Sequence, residues 1–216
     1  MIRSKTLLFA LAGTIALGAG IWLGENLYRP TAEPPPDIAG IYFPEQERQP
    51  VEDFSLTHQS GRAFTAKDLK GHWTFLYFGY TYCPDACPLT LSHLSTLEQH
   101  LARQGLAENT AYIFVSVDPA RDTPQRLGEY TAYFGKNFQG VTGTPEQLSK
   151  LAKQFGIYYD IPEQQDKENY TVDHSSSIVL VDPDARLEAI LTHPDSPETL
   201  FTDFMKIYER YQSAHG

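Results

Sequence analysis

The amino-acid sequence predicts an α/β domain in which a mixed sheet is covered by helices. Three features carry that expectation. Two runs, residues 73–79 and 111–117, are too apolar for sheet edges and read as buried central strands. Helical patterns lie between and after them, with leucines three or four apart in the first: Leu91, Leu94, Leu97 and Leu101. The last strand-like runs, 176–181 and 187–191, flank the turn Asp182-Pro183-Asp184-Ala185-Arg186, so the sheet is expected to finish as an antiparallel hairpin.

From the N-terminus, Arg3 and Lys5 precede residues 7–24, which carry no charge. At 1.5 Å per residue that run covers roughly 27 Å, just under the usual hydrocarbon thickness of about 30 Å. Residues 1–28 are therefore expected to form a cytoplasmic tip and an uncleaved transmembrane signal-anchor, although Ala16-Leu17-Gly18 and Gly18-Ala19-Gly20 keep cleavage open. The basic tip is expected to stay in the cytoplasm, giving a single-pass protein of a bacterial inner membrane with its domain in the periplasm. Residues 29–50 contain Pro30, Pro34, Pro35, Pro36, Pro44 and Pro50 and read as a semi-rigid spacer. Residues 51–216 suit one domain with a short C-terminal tail. A formal charge of -10 argues against a nucleic-acid surface. Two cysteines in 216 residues exclude a disulfide-stapled scaffold.

Within the domain, residues 53–56 and 63–65 flank Gln59-Ser60-Gly61-Arg62 and predict a hairpin ahead of the first buried strand. Strand 73–79 leads to a helix over residues 88–104, which Gly105 ends. Strand 111–117 delivers Asp118-Pro119 at its C-terminal end. Helices follow over 124–134 and 145–155, the second capped by Thr144 with Pro145 at its first position, and a short strand near 138–141 separates them. A helix over 197–211 closes the chain. This is the thioredoxin-like order of elements with a hairpin added in front. Ligands in such open α/β sheets collect at the C-terminal ends of the strands.

That is where Cys83 and Cys87, the only cysteines, fall. A spacing of four brings two side chains to one helix face, with Cβ atoms about 5–6 Å apart, within reach of one metal ion or of a disulfide. Helix N-terminal N–H groups stabilise thiolates, which serves metal binding and redox attack alike, so spacing alone does not choose. The three intervening residues Pro84, Asp85 and Ala86 depart from the Cys-x-x-Cys spacing of thioredoxin-like reductases. A copper site needs a third ligand, and His174, in a polar loop feeding the strand 176–181, is the best placed histidine. Two thiolates and an imidazole suit Cu(I), whereas zinc would want a fourth ligand. His93 and His100 lie more than a turn and a half down the helix from Cys87, and His58, His72, His193 and His215 fall in turns, strand edges or the tail. No phosphate-cradling glycine loop, nucleophile elbow or zinc-protease helix is present.

Four stretches, in order, give the sequence a family likeness: Phe78 to Pro88 around the cysteines, Val115-Ser116-Val117-Asp118-Pro119 with Arg121-Asp122-Thr123-Pro124, Gly140-Val141-Thr142-Gly143, and Asp173-His174-Ser175 with Leu180-Val181-Asp182-Pro183. The chain resembles the Sco/SenC family of membrane-tethered, thioredoxin-fold copper proteins that assist maturation of the binuclear copper centre of cytochrome c oxidase. The resemblance implies that Cys83, Cys87 and His174 are the copper ligands, one copper ion per domain as Cu(I), Cu(II) or both, with Asp85 and Asp118 as supporting acids. It also implies an extra hairpin before the histidine-bearing strand, here within 156–172, whose polar run 163–168 is a candidate partner contact. Expected partners are the copper-site subunit of cytochrome c oxidase, other copper chaperones or thiol reductants, and the membrane through the anchor. Two other classes stay open: a thiol-disulfide oxidoreductase or thiol peroxidase, indifferent to His174, and a copper or redox sensor that binds the ion without passing it on.

Overall fold

Strands β4 (Trp73–Gly79) and β5 (Thr110–Ser116) are buried along their whole length, as two runs with no polar face require, and they pair in parallel at the centre of the sheet. The computed structural model describes residues 13–24, 34–162, 170–192 and 196–215. Residues 13–24 are helical, and the folded domain occupies 36–216.

Around the central pair stand β1 (Gly40–Tyr42), β2 (Leu56–His58), β3 (Ala63–Phe64), β6 (Phe138–Thr142), β9 (Ile178–Val181) and β10 (Leu187–Leu191). They form one eight-stranded sheet in the order β1-β10-β9-β4-β5-β6-β2-β3. β6 continues the parallel run, while β9, β10 and β1 on one side and β2 and β3 on the other are antiparallel to their neighbours. Among the described residues, four α-helices complete the domain: α1 (Ala86–Arg103), α2 (Pro124–Thr131), α3 (Pro145–Gln154) and α4 (Pro197–His215). Thr123 and Thr144 cap α2 and α3 through their hydroxyls, each followed by proline at the first helical position.

Alternation along β4 divides the core. Phe75 stacks on Tyr112, which stacks on Phe138, with centroids 5.5 and 4.7 Å apart, and Phe204 of α4 closes on Phe75 and Trp73. Phe78 faces the other way and meets Phe155 at the end of α3. Both faces are therefore covered, as expected for a mixed sheet with a parallel centre.

Three expectations shift. The stretch read as a spacer over 29–50 contains β1, which pairs with the edge of β10, and Pro50 bridges to Arg186. An uncovered β10 would leave a row of unpaired backbone groups, and β1 satisfies them. Gly40 allows the approach, because a Cβ there would strike the carbonyl oxygen of Ile190. The helix expected from residue 88 begins at Ala86, which brings Cys87 into its first turn. Strand β8 (Asp173–His174), expected as loop, pairs with β7 (Tyr159–Asp160) in a separate two-stranded sheet, with Tyr159 opposite His174. The inserted hairpin thus carries the histidine itself, and the run 163–168 lies outside the described residues.

A buried charge network ties β1 to the end of the sheet. Arg48 lies 2.8 Å from Glu188, donates from Nε to the Phe43 carbonyl and from Nη2 to the Tyr42 hydroxyl, and Asp182 is shared with Arg186 at 3.0 Å. Burial pushes the Glu188 carboxyl up to about 8, and the Arg48 charge only partly opposes it. The native state thus retains a proton that the unfolded chain gives up near the ordinary glutamate value. This group favours folding below that value and loses its contribution as pH rises to 8. Glu188→Gln is expected to flatten the fall in melting temperature between pH 5 and 8, and thermal unfolding of both proteins at the two pH values checks it.

Candidate metal centre

The site grows out of the end of β4. Gly79 is its last residue, and a Cβ there would lie 2.6 Å from Cys87 Sγ and 3.0 Å from the Phe114 ring, so glycine makes room for the second thiol. The chain then turns through Tyr80 to Pro84 and enters α1 with Asp85 at its cap position. The turn is held from below. Asp122, fully buried, accepts the Thr81 N–H at 2.9 Å, the Thr81 hydroxyl at 2.6 Å and the Ser116 hydroxyl at 2.6 Å.

Cys83 is half-buried, Cys87 fully buried, and both are free thiols. The Cys87 backbone N–H donates to Cys83 Sγ at 3.4 Å, so the first thiol sits on the open end of α1. Cys87 Sγ lies 3.4 Å from His174 Nε2. The sulfurs and an imidazole nitrogen of His174 all lie within 4.8 Å of one another. His174 Nδ1 is 3.0 Å from the Ser175 carbonyl, which only a protonated Nδ1 can address. That assigns the tautomer and leaves the Nε2 lone pair facing the thiols, the form a metal-binding imidazole takes. Tyr77 and Tyr80 meet the imidazole edge-on, both at 6.0 Å between centroids.

The two thiols are electrostatically unequal. The Cys87 thiol and the backbone N–H groups of Asp85 and Cys87 hold the Cys83 thiol well below its ordinary value against the opposing effect of burial. The Cys83 thiolate and burial push Cys87 the other way. Cys83 is the better nucleophile and Cys87 the protected partner.

Of the residues expected from the sequence, Cys83, Cys87 and His174 converge. Asp85 is exposed at the start of α1, where its carbonyl accepts from Leu89 and its side chain makes no cap bond. Asp118 is buried and turned to Arg121 and Tyr170, with Arg121 Nε and the Tyr170 hydroxyl both donating to it at 2.6 Å. Gly79, Thr81 and Asp122 stand in the stretches that carry the family likeness without a role of their own, and Tyr170 lies outside them. The one available signal was Asp122, an acid one residue before the cap of α2.

Fold and site together define a thioredoxin-like domain bearing two thiols and an imidazole at a helix N-terminus. Residues 44–209 match the SCO1/SenC family, and the chain belongs to it. The structure of Arabidopsis thaliana ScoI with copper bound is 32% identical, with a TM-score of 0.69, covering 76% of this chain and all of that one. Bradyrhizobium japonicum ScoI with copper bound is 34% identical, with a TM-score of 0.64, over 74% of this chain and 99% of that one. The mitochondrial SCO2 homolog of Bos taurus is 31% identical over 162 residues, 75% of this chain. The match spans 54% of that curated relative's length.

Alkylation is expected to modify Cys83 before Cys87 and to stay fast below the ordinary thiol range, as peptide mapping after timed iodoacetamide treatment at pH 6 and 8 will show. Gly79→Ala is expected to cost about 1–3 kcal/mol by crowding Cys87, read as a lower urea midpoint.

Proposed function

We propose that this chain is a membrane-tethered copper metallochaperone that delivers copper to the binuclear copper site of cytochrome c oxidase. The observation that carries the reading is the convergence of Cys83, Cys87 and His174 within 4.8 Å, with the Nε2 lone pair turned inward. Two soft thiolates and one imidazole favour Cu(I), and a weak further ligand would let the same set hold Cu(II). The likeness to two ScoI structures with copper bound supports the ion, and the likeness to the SCO2 homolog supports the family role. Copper is cargo here, one ion per domain, and passes to the copper-site subunit by stepwise ligand exchange. Asp85 and Asp118 act around the ligands, Asp85 at the helix cap and Asp118 through Arg121 and Tyr170.

A second reading rests on the inequality of the thiols. Cys83 would attack a disulfide in the client's copper site and Cys87 would resolve the mixed disulfide, so two thiols yield two electrons and two protons and become one disulfide. The client disulfide becomes two thiols. Oxidation of this pair also removes two copper ligands, which gates loading by redox state. Other copper chaperones supplying the ion and thiol reductants restoring the pair are the further partners of this scheme.

The proposed location is a bacterial inner membrane, with residues 1–28 as a single-pass anchor and the domain in the periplasm. Support comes from the uncharged run 7–24 behind Arg3 and Lys5. Among the described residues, no helix is long and apolar enough to cross a membrane, and the first part of that run lies outside them.

Anaerobic titration of the full chain with Cu(I) tests the assignment. One copper per reduced chain is expected, lost on disulfide formation, with His174→Ala weakening binding by about tenfold or more. Binding indifferent to His174 would leave the thiol-redox reading in place of the chaperone.

A further inference from the structure

His174 sits on an inserted hairpin that shares only a two-residue ladder with β7 and is not part of the main sheet. The two cysteines belong to the turn between β4 and α1. The separation of imidazole from thiols therefore depends on how the hairpin arm is held against the body of the domain. On its C-terminal side His174 is four residues from Ile178 of β9, which pairs with β4, but the ladder adds no hold on the N-terminal side, because β7 belongs to the same insertion.

Four residues before His174, Tyr170 supplies it. Its hydroxyl donates to Asp118 Oδ1 at 2.6 Å, its carbonyl accepts from Arg121 Nη1 at 2.9 Å, and its ring lies 3.4 Å from the Arg121 guanidinium carbon. Arg121 is in turn fixed by Asp118 at 2.6 Å. The same guanidinium faces the rings of Tyr82 at 4.8 Å and Tyr80 at 5.6 Å, both in the turn that carries Cys83. Arg121 thus lies between the aromatic residues of the cysteine turn and the aromatic residue of the histidine arm. Val172, buried between Tyr170 and His174, carries that fixation along the arm.

We propose that Tyr170, clamped by Arg121 and Asp118, is the positioning residue that sets where His174 stands relative to Cys83 and Cys87. The inference deepens the copper-site reading and rests on it for its metal-dependent part. Tyr170 acts on the arm through its contacts with Asp118 and Arg121. Its influence on the thiols therefore passes through the imidazole, which meets Cys87 Sγ at 3.4 Å. Arg121 with a planar face serves both aromatic groups at once, which a lysine ammonium cannot do in the same way.

The test compares the full chain with Tyr170→Leu, Tyr170→Phe, His174→Ala and the Tyr170→Leu/His174→Ala double variant. Cu(I) affinity by chelator competition is expected to fall about tenfold in Tyr170→Leu, in the range that loss of residues supporting a metal ligand produces. Tyr170→Phe, which retains the ring over Arg121, is expected to recover part of it. The dithiol midpoint potential is expected to stay at the wild-type value in Tyr170→Phe and to move in Tyr170→Leu no further than in His174→Ala, whose lost imidazole meets Cys87 Sγ at 3.4 Å. The double variant is expected to bind no worse than His174→Ala alone, since the two changes act through one group. An additive loss in the double variant, or a potential in Tyr170→Leu shifted beyond that of His174→Ala, would overturn the proposal and make Tyr170 a general structural residue. A metal-free arm separates this from failure of the copper reading. Nuclear Overhauser contacts between the His174 ring and the Tyr77 and Tyr80 rings are expected in the wild type and lost in Tyr170→Leu. Contacts that survive in the variant refute the positioning role whether or not the wild type binds copper.

Discussion

The parallel pairing of β4 with β5 is the constraint on which the rest of the molecule depends. Parallel strands place both C-terminal ends at one edge, so the turn carrying Cys83 and the turn carrying Asp118 and Asp122 emerge side by side. Their neighbourhood lets one buried carboxylate, Asp122, hold Thr81 of the neighbouring turn through two hydrogen bonds. That hold adds to the helix start and to the guanidinium groups of Arg121 and Arg126 that face Tyr82 in defining the cysteine turn. The pairing also demands apolar side chains on both faces, which explains why α1 and α4 cover one side and α3 the other.

Preorganisation in this site is built from charge that is taken out of water and then satisfied. Asp118 and Asp122 are fully buried four residues apart, and each carboxylate is met by donors: Arg121 and Tyr170 for the first, Thr81 and Ser116 for the second. Buried carboxylates so arranged are rigid, because moving any donor would leave an unpaired charge in a poor dielectric. Arg48 and Glu188 show the opposite case. Their contact is short, yet the burial of Glu188 outweighs it, and the carboxyl retains its proton into the neutral range.

Much of the fold was legible because its signals are local. The two apolar runs, the leucine spacing of α1 and the Thr-Pro starts of α2 and α3 each specify an element without reference to the rest of the chain. The three converging side chains could be named because two are the only cysteines and the third stands in a polar loop feeding a strand, within a stretch that carries the family likeness. What escaped depends on distant partners. Strand β1 has a weak pattern of its own and exists because β10 needs an edge covered and Gly40 can come close enough. Strand β8 is two residues long and forms only against Tyr159 and Asp160. Tyr170 and Thr81 look like ordinary polar loop residues until the fold brings Asp118 and Asp122 beneath them, and Gly79 reads as the end of a strand until Cys87 is seen against it.

The two outermost strands are stubs. β1 has three residues and β3 only two, while the longest strands lie in the interior of the sheet. An edge that short offers a neighbouring molecule too few free N–H and C=O groups to extend the sheet. A family of molecules crowded onto a common surface would otherwise be prone to joining edge to edge, and this chain withholds the template. The apolar strands that make the fold stable are thereby kept from making it adhesive.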